Sequence, residues 1–229
     1  SGACACVAHI SGLDVHVANV GDTRAVLGSL ENDRWVAKPM STDHNTSNPA
    51  EVERVRNSHP KVEGSFVLKN NRLLSQLIPL RAFGDVRYKW SLTELKSIVQ
   101  IMDTPYARTI IPMNYYTPPY LIVTPEVRYH RLSSDDKFLV IASDGLWEQL
   151  SDERVVQLLG EFIEGKETNV HFKMSDPRMK LGQVNQVLKR RKIGLANKTS
   201  DVNAATHLIR HALGPEHTKV SELLTLPPE

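Results

Sequence analysis

The stretch at 137–150 constrains this chain most, because an apolar run there ends abruptly in polar residues. Residues 137–142 are apolar enough to form a strand buried on both faces, and two aspartates at 135–136 are expected at its solvent end. Asp144 and Gly145 follow the run almost at once. A carboxylate at the mouth of a buried strand loses hydration and needs a metal ion, a cation or several donors to stay charged. Asp144 therefore either holds such a group or caps local N–H groups in a turn.

Length and composition are typical of an ordinary globular protein. The chain has 229 residues, of which 41% are hydrophobic and 24% charged, and we predict a single domain over 1–229. No apolar run approaches the roughly 20 residues that a membrane-spanning helix needs. Cys4 and Cys6 lie two residues apart without a second pair at zinc spacing, which predicts buried free thiols on one strand face.

Hydrophobic periodicity and turn residues predict strands first and helices later. His9 and His16 are expected on strand faces rather than as ligands, because no carboxylate or thiol repeats with them. Asn48 is the expected N-cap of the first helix, with Glu51 as its capping-box partner. We expect strands at 6–10, 13–20, 24–30, 35–40 and 121–124, a hairpin at 66–74, and helices at 49–57, 91–101, 203–213 and after Ser151.

Asp22 has a sequence context similar to that of Asp144. It ends an apolar strand and follows Gly21. The alternative interpretation is a turn aspartate that pairs with Arg24, two residues further on. The residues alone leave both interpretations open.

The segment 165–200 differs from the rest of the chain in charge. It has nine basic and two acidic residues, a balance of +7 in a chain whose total is +2, so the remainder carries −5. It is either a solvated surface insertion or a docking patch for an acidic or phosphorylated partner. The basic run that would form such a patch is Lys189, Arg190, Arg191 and Lys192. Nucleic acid is disfavoured as a partner, because Phe172 is the one aromatic residue in the segment.

Five short segments, taken in order, resemble the motifs of a known family. They are Ser-Gly-Ala at 1–3, Asn-Val-Gly-Asp-Thr-Arg at 19–24, Thr-Asp-His at 42–44, Arg-Ala-Phe-Gly-Asp at 81–85 and Ala-Ser-Asp-Gly-Leu-Trp-Glu at 142–148. On these segments the chain resembles the metal-dependent protein serine/threonine phosphatases of type 2C, the PPM family. Thr23 stands where the family has Ser, and Glu148 where it often has Asp.

The resemblance implies an α+β fold, a four-layer αββα sandwich of two antiparallel sheets flanked by helices. It also implies two Mg²⁺ or Mn²⁺ ions, with a weaker third, and attack on phosphoserine by a water that bridges the metals. On this resemblance Asp144 is a core metal ligand, and Asp22 and Glu148 serve the third ion. No catalytic residue beyond the metal ligands is expected. The resemblance assigns His44, Arg81 and Asp85 to structural support.

Three further segments are similar to the branch of the family that acts on the pyruvate dehydrogenase complex. They lie at 114–120, 180–183 and 204–212. The resemblance therefore implies that complex as the phosphoprotein substrate, a regulatory subunit as a further partner, and a mitochondrial matrix location.

Two of the family's metal-binding motifs are not found in the sequence. These are an Asp-Gly-His motif upstream of residue 1 and an aspartate pair downstream of the last helix. The absence, together with a first residue other than Met, predicts a partial chain that is incomplete at both ends and inactive alone. The alternative function is that of a non-catalytic pseudophosphatase, which binds a partner without turnover.

Overall fold

The computed structural model describes residues 1–102, 107–168, 180–196 and 201–214 of the chain. The chain divides into two compact units. Unit 1 comprises Ser1–Ala25, Pro39–Ser133 and Ile141–Asp144, and unit 2 comprises Val26–Lys38, Ser134–Val140 and Gly145–Glu229. The single domain predicted over 1–229 stays a prediction.

The described elements are ten strands, seven α-helices and three short 3₁₀ turns. The strands are β1 (Gly2–Ala3), β2 (Ala5–Ser11), β3 (Asp14–Val20), β4 (Arg24–Glu31), β5 (Arg34–Pro39), β6 (Leu68–Lys69), β7 (Arg72–Leu73), β8 (Phe83–Gly84), β9 (Glu126–Arg131) and β10 (Asp136–Ala142). The α-helices are α1 (Pro49–Asn57), α2 (Gly64–Val67), α3 (Leu92–Ile101), α4 (Asp144–Trp147), α5 (Asp152–Thr168), α6 (Leu181–Ala196) and α7 (Ala204–Ala212). The 3₁₀ turns are Lys61–Glu63, Val86–Tyr88 and Ala107–Thr109.

Unit 1 contains an antiparallel sheet with the strand order β2-β3-β9. His9 lies opposite His16, and His16 lies opposite Tyr129, so the three rings follow one another across the exposed face. Gly12, at a φ of 60°, turns the chain between β2 and β3. Both strands and their connection confirm the sequence prediction.

The core of unit 1 is a cluster of buried side chains that come from its helices and from the loops between them. Its largest fully buried side chains include those of Tyr120, Leu73, Leu80, Leu95 and Leu121. The first helix, α1, has the predicted bounds, and Asn48 caps it by accepting hydrogen bonds from the N–H groups of Ala50 and Glu51. The predicted hairpin is short: β6 and β7 pair across Asn70 and Asn71, both at a φ of 55°.

One strand prediction and one burial prediction are wrong. Residues 121–124 make only an isolated parallel bridge between Arg81 and Ile122, and the strand of this region begins at Glu126, just beyond Pro125. Strand β10 is not buried on both faces: Val140 is buried, whereas Lys137 and Ile141 are exposed. The reason is its position, because among the described strands β10 lies at the edge of a sheet with the order β10-β4-β5.

Unit 2 is built on helix α5, against which α6 and α7 pack. Helix α6 shows that part of the basic segment is regular structure, whereas residues 169–179 and 197–200 of that segment lie outside the described residues. The indole of Trp35 packs beside the ring of Phe138, with 5.5 Å between centroids, and its Nε1 donates a hydrogen bond to Glu164 on α5. Within the described ranges, no helix is both long and apolar enough to cross a bilayer.

Candidate functional site

Asp22 is held in a turn by the buried amide of Asn19. The Asn19 side chain donates hydrogen bonds to the carbonyl oxygens of Gly21 (3.1 Å) and Thr42 (3.0 Å), and its Oδ1 accepts one from the Thr23 hydroxyl (2.7 Å). Gly21 has a φ of 105°, a conformation that residues with a side chain rarely adopt. The backbone of this turn is therefore fixed on both sides of Asp22.

His44 stabilises the same turn through two further hydrogen bonds. The Gly21 N–H donates to Nδ1 of His44 at 3.1 Å, and the His44 N–H donates to the Gly21 carbonyl at 2.9 Å. Because Nδ1 accepts, the proton of the neutral ring lies on Nε2, which is 3.6 Å from a carboxylate oxygen of Glu126. Burial and the nearby charge of Arg81 lower the pKa of His44, which favours this neutral ring. The role of His44 is structural in this geometry.

Cys4 contacts Asp22, one of the two predicted metal-binding aspartates of unit 1. Its Sγ donates a hydrogen bond to Oδ1 of Asp22 at 3.3 Å. Burial, and then the negative charges of Asp22 and Asp144, raise the pKa of the Cys4 thiol to about 11. A Cβ on Gly21 would lie only 2.2 Å from this sulfur, so the thiol can approach the turn only because residue 21 is a glycine.

Asp144 lies at the first position of α4 and is exposed rather than buried at a strand mouth. The prediction of a desolvated carboxylate there is wrong, since the strand that precedes it is itself partly exposed. The aspartate at the other end of β10 is the buried one: the Asp136 side chain is 1% exposed, and it accepts hydrogen bonds from Ser29 (2.5 Å) and Lys38 (3.3 Å). Glu148 is exposed and belongs to unit 2, and its part in the site stays a prediction.

The donor chemistry of Asp22 and Asp144 suits Mg²⁺ or Mn²⁺. Such hard cations prefer carboxylate oxygens, and Mg²⁺ is usually held by only one or two carboxylates while it keeps several waters. Among the described residues no group of three or more His, Cys, Asp or Glu side chains is placed to hold a metal ion. The two aspartates therefore fit part of a metal site.

Arg81, the first residue of the 81–85 motif, joins an ion-pair cluster around the buried Glu51 that the sequence did not predict. The carboxylate of Glu51 accepts hydrogen bonds from the guanidinium groups of Arg81 and Arg54, and Arg81 also donates to the Thr124 carbonyl at 2.8 Å. Although burial opposes ionisation, these two arginines lower the pKa of Glu51 to about 2. The predicted capping box is wrong, because Glu51 turns to the arginines and the Asn48 N–H donates to the Asn45 carbonyl instead.

Asp85 directly follows β8, where the chain leaves the short pairing of β1 with β8. Its N–H donates to the Ser1 carbonyl at 2.9 Å, and its own φ is 45°. A Cβ on Gly2 would lie 2.1 Å from the Asp85 carboxylate, so the two residues are in close contact. These contacts join Asp85 to the N-terminal residues, and its structural role stays a prediction.

The predicted docking residues lie on helix α6. Lys189 and Lys192 are exposed there, and the side chains of Arg190 and Arg191 fall outside the described part of the chain. Neighbouring Leu188 is half exposed, so the described face of α6 near this run combines positive charge with apolar surface.

Comparisons with known proteins give a consistent family. The family model described as "Protein phosphatase 2C" matches residues 1–187. The chain is 47% identical, over its whole length, to a protein of Bos taurus named "[Pyruvate dehydrogenase [acetyl-transferring]]-phosphatase 1, mitochondrial", of which it covers 45%. It is 45% identical over 99% of its length to phosphatase 2 of the same name in Homo sapiens, of which it covers 44%.

The chain thus spans less than half the length of these curated relatives. Among solved structures, a serine-threonine phosphatase 2C from Toxoplasma gondii aligns over 86% of this chain and 55% of that one. Its TM-score is 0.45 at 18% identity, a likeness too weak to support any conclusion.

Proposed function

Because the chain belongs to the protein phosphatase 2C family, we propose that the whole protein is a metal-dependent protein serine/threonine phosphatase. The observation that supports this most directly is the turn that holds Asp22, which Asn19, His44 and Cys4 fix by hydrogen bonds, in the same compact unit as Asp144. Both side chains are carboxylates, the ligands that Mg²⁺ and Mn²⁺ prefer. Glu148 is proposed as an additional ligand for a third ion.

Asp22 and Asp144 would hold Mg²⁺ or Mn²⁺, which would lower the pKa of a nucleophilic water and neutralise charge on the phosphoryl group. The chain's own contribution is to hold Asp22 in place. Asn19 and His44 fix the backbone of Gly21, directly before Asp22. With its pKa at about 11, Cys4 remains a thiol at neutral pH, so it donates to Asp22 and does not compete for the metal as a thiolate.

We further propose phosphoserine of the pyruvate dehydrogenase component as the substrate, with the mitochondrial matrix as the location. Support comes from the two relatives named above, at 47% and 45% identity. A regulatory subunit is proposed as a further partner on the same grounds. The basic run 189–192 on α6 is the proposed contact for an acidic surface of the substrate complex.

The proposal is tested by Asp144→Asn in the full-length protein. The amide keeps the shape of the side chain but removes the charge that balances the divalent ions, so Mn²⁺-dependent hydrolysis of a phosphoserine peptide should fall by orders of magnitude. Asp22→Ala should reduce turnover less. Glu153→Gln, at an exposed acid of α5 outside the proposed site, is the matched control and should leave the rate unchanged. Near wild-type turnover by the Asp144→Asn protein would contradict the assignment of Asp144 as a metal ligand.

A further inference from the structure

Helix α7 carries two histidines one turn apart on the same face. His207 and His211 are separated by four residues, and their ring centroids lie 4.3 Å apart with an interplanar angle of 61°. The exposed side chain of His211 lies beside His207, which is buried against Phe162 with 5.2 Å between ring centroids. All three residues belong to unit 2, whereas the aspartates Asp22 and Asp144 belong to unit 1.

The hydrogen bonds of both rings fix the tautomer of the neutral imidazole. Nδ1 of His207 lies 2.8 Å from Oδ2 of Asp201, and Nδ1 of His211 lies 2.8 Å from the backbone carbonyl of His207. A carboxylate and a carbonyl can only accept, so in each ring the proton is on Nδ1. In the neutral form, each Nε2 therefore presents a lone pair, which is the state in which imidazole binds a metal ion.

The partners of the two Nδ1 atoms are those typical of metal-bound histidines. Ligating imidazoles almost always donate their second N–H to a carboxylate or a backbone carbonyl, which fixes the tautomer and raises the basicity of the ligating nitrogen. Asp201 supplies the carboxylate; its side chain is 3% exposed. Its charge is balanced by Arg210, whose Nε donates to the other carboxylate oxygen at 2.8 Å.

From this geometry we propose that His207 and His211 form a binding site for Zn²⁺ or a similar imidazole-preferring divalent ion. The chemistry differs from that of the phosphatase metals, because imidazole nitrogen suits Zn²⁺, Cu²⁺ and Ni²⁺, whereas Mg²⁺ prefers oxygen. Within the described ranges no third side chain joins the pair, so water completes the coordination. The inference is independent of the proposed phosphatase function.

The experiment is isothermal titration of the 229-residue protein with Zn²⁺ in excess Mg²⁺, which saturates oxygen-ligand sites. Cys4→Ser and Cys6→Ser form the background, so that thiols do not contribute to the heat. His211→Ala changes an exposed residue, and it should remove one equivalent of Zn²⁺. His9→Ala, from the exposed pair His9 and His16 in unit 1, is the matched control and should keep that equivalent.

A second variant tests whether the two rings form a metal site or are merely neighbours. Asp201→Asn keeps the shape of the orienting side chain but removes its charge, and it should weaken Zn²⁺ binding about 10- to 100-fold. Circular dichroism verifies that each variant is folded, and with Cu²⁺ as the probe, electron paramagnetic resonance should show coupling to two imidazole nitrogens. Zn²⁺ binding that is unchanged in His211→Ala, or equally reduced in His9→Ala, would overturn the proposal.

Discussion

The buried ring of His44 accepts a hydrogen bond from the backbone N–H of Gly21 at 3.1 Å. A buried N–H without a partner costs about 1–3 kcal/mol, so this one contact contributes strongly to the stability of the turn. The turn carries Asp22, which gives a histidine far from it in sequence control over a proposed metal ligand. This dependence can be measured without any assay of activity.

His44→Leu should lower the free energy of unfolding by about 1–3 kcal/mol, because leucine fills a similar volume but cannot accept from Gly21. His44→Asn is the matched variant, since its Oδ1 can take the place of Nδ1. Urea denaturation measures both. We expect the asparagine protein to be the more stable of the two, despite its smaller side chain. The opposite order would mean that packing, rather than the hydrogen bond, is what His44 contributes.

The Glu51 cluster predicts a specific loss of stability in acid. The pKa of Glu51 is lowered from an ordinary value of 4.5 to about 2 in the folded protein. Its contribution, roughly 3 kcal/mol, is fully present above pH 4.5 and is lost as the pH falls towards 2. The free energy of unfolding, measured by denaturant titration across this pH window, should therefore fall with decreasing pH.

Glu51→Gln should reduce the pH dependence in that window and lower the stability at neutral pH, because it leaves Arg81 and Arg54 without their anion. Glu53→Gln, an exposed glutamate on the same helix, is the control and should leave the pH profile close to that of the wild type. If Glu53→Gln flattened the profile as much as Glu51→Gln, the ion pair would not be the source of the acid sensitivity.

The strands and helices that the sequence predicted well are those with strong local signals. The connection at Gly12, the N-cap at Asn48 and the stop of α7 before Gly214, at a φ of 96°, each depend on a residue whose conformational preference is intrinsic. Strand β10 was misjudged because an apolar run does not reveal whether the strand lies at the edge or in the centre of its sheet.

The site was only partly predictable for a similar reason. The neighbouring glycine marked Asp22 and Asp144, but no local pattern indicates that the Cys4 thiol donates a hydrogen bond to Asp22. Glu51 was taken for a capping residue because its spacing from Asn48 fits that motif, and its distant partner Arg81 cannot be inferred from spacing. Ion pairs between residues far apart in the chain leave no periodic pattern in the sequence.

Substitution of Gly160 tests the packing in unit 2. A Cβ at this position would lie 2.1 Å from the indole of Trp35, so Gly160→Ala should destabilise the protein by about 1–3 kcal/mol. Gly182→Ala is the control, because a Cβ there would meet no heavy atom within 4 Å and alanine favours a helix by about 1 kcal/mol. Thermal unfolding should show opposite shifts for the two variants. A shift of the same sign in both would contradict the contact with Trp35.

The basic run on α6 predicts a change that depends on the size of the substrate. Replacing Lys189, Arg190, Arg191 and Lys192 together by glutamine removes charge that would steer an acidic partner. In the full-length protein, the apparent KM for the intact dehydrogenase complex should rise, and the difference from wild type should shrink as salt screens the charges. Turnover of a short phosphoserine peptide should be unchanged, since the run is proposed to act as a docking surface and not to line the metal site.

Four exposed basic residues of unit 1 provide a control with the same loss of charge. They are Arg56, Lys61, Lys69 and Lys96. If their replacement raised the KM for the complex equally, net charge rather than a docking surface would explain the effect. An equal loss of activity on the complex and on the peptide would instead indicate that the α6 run supports the fold. No change in activity on either substrate would indicate that the run is only a solvated face of the helix.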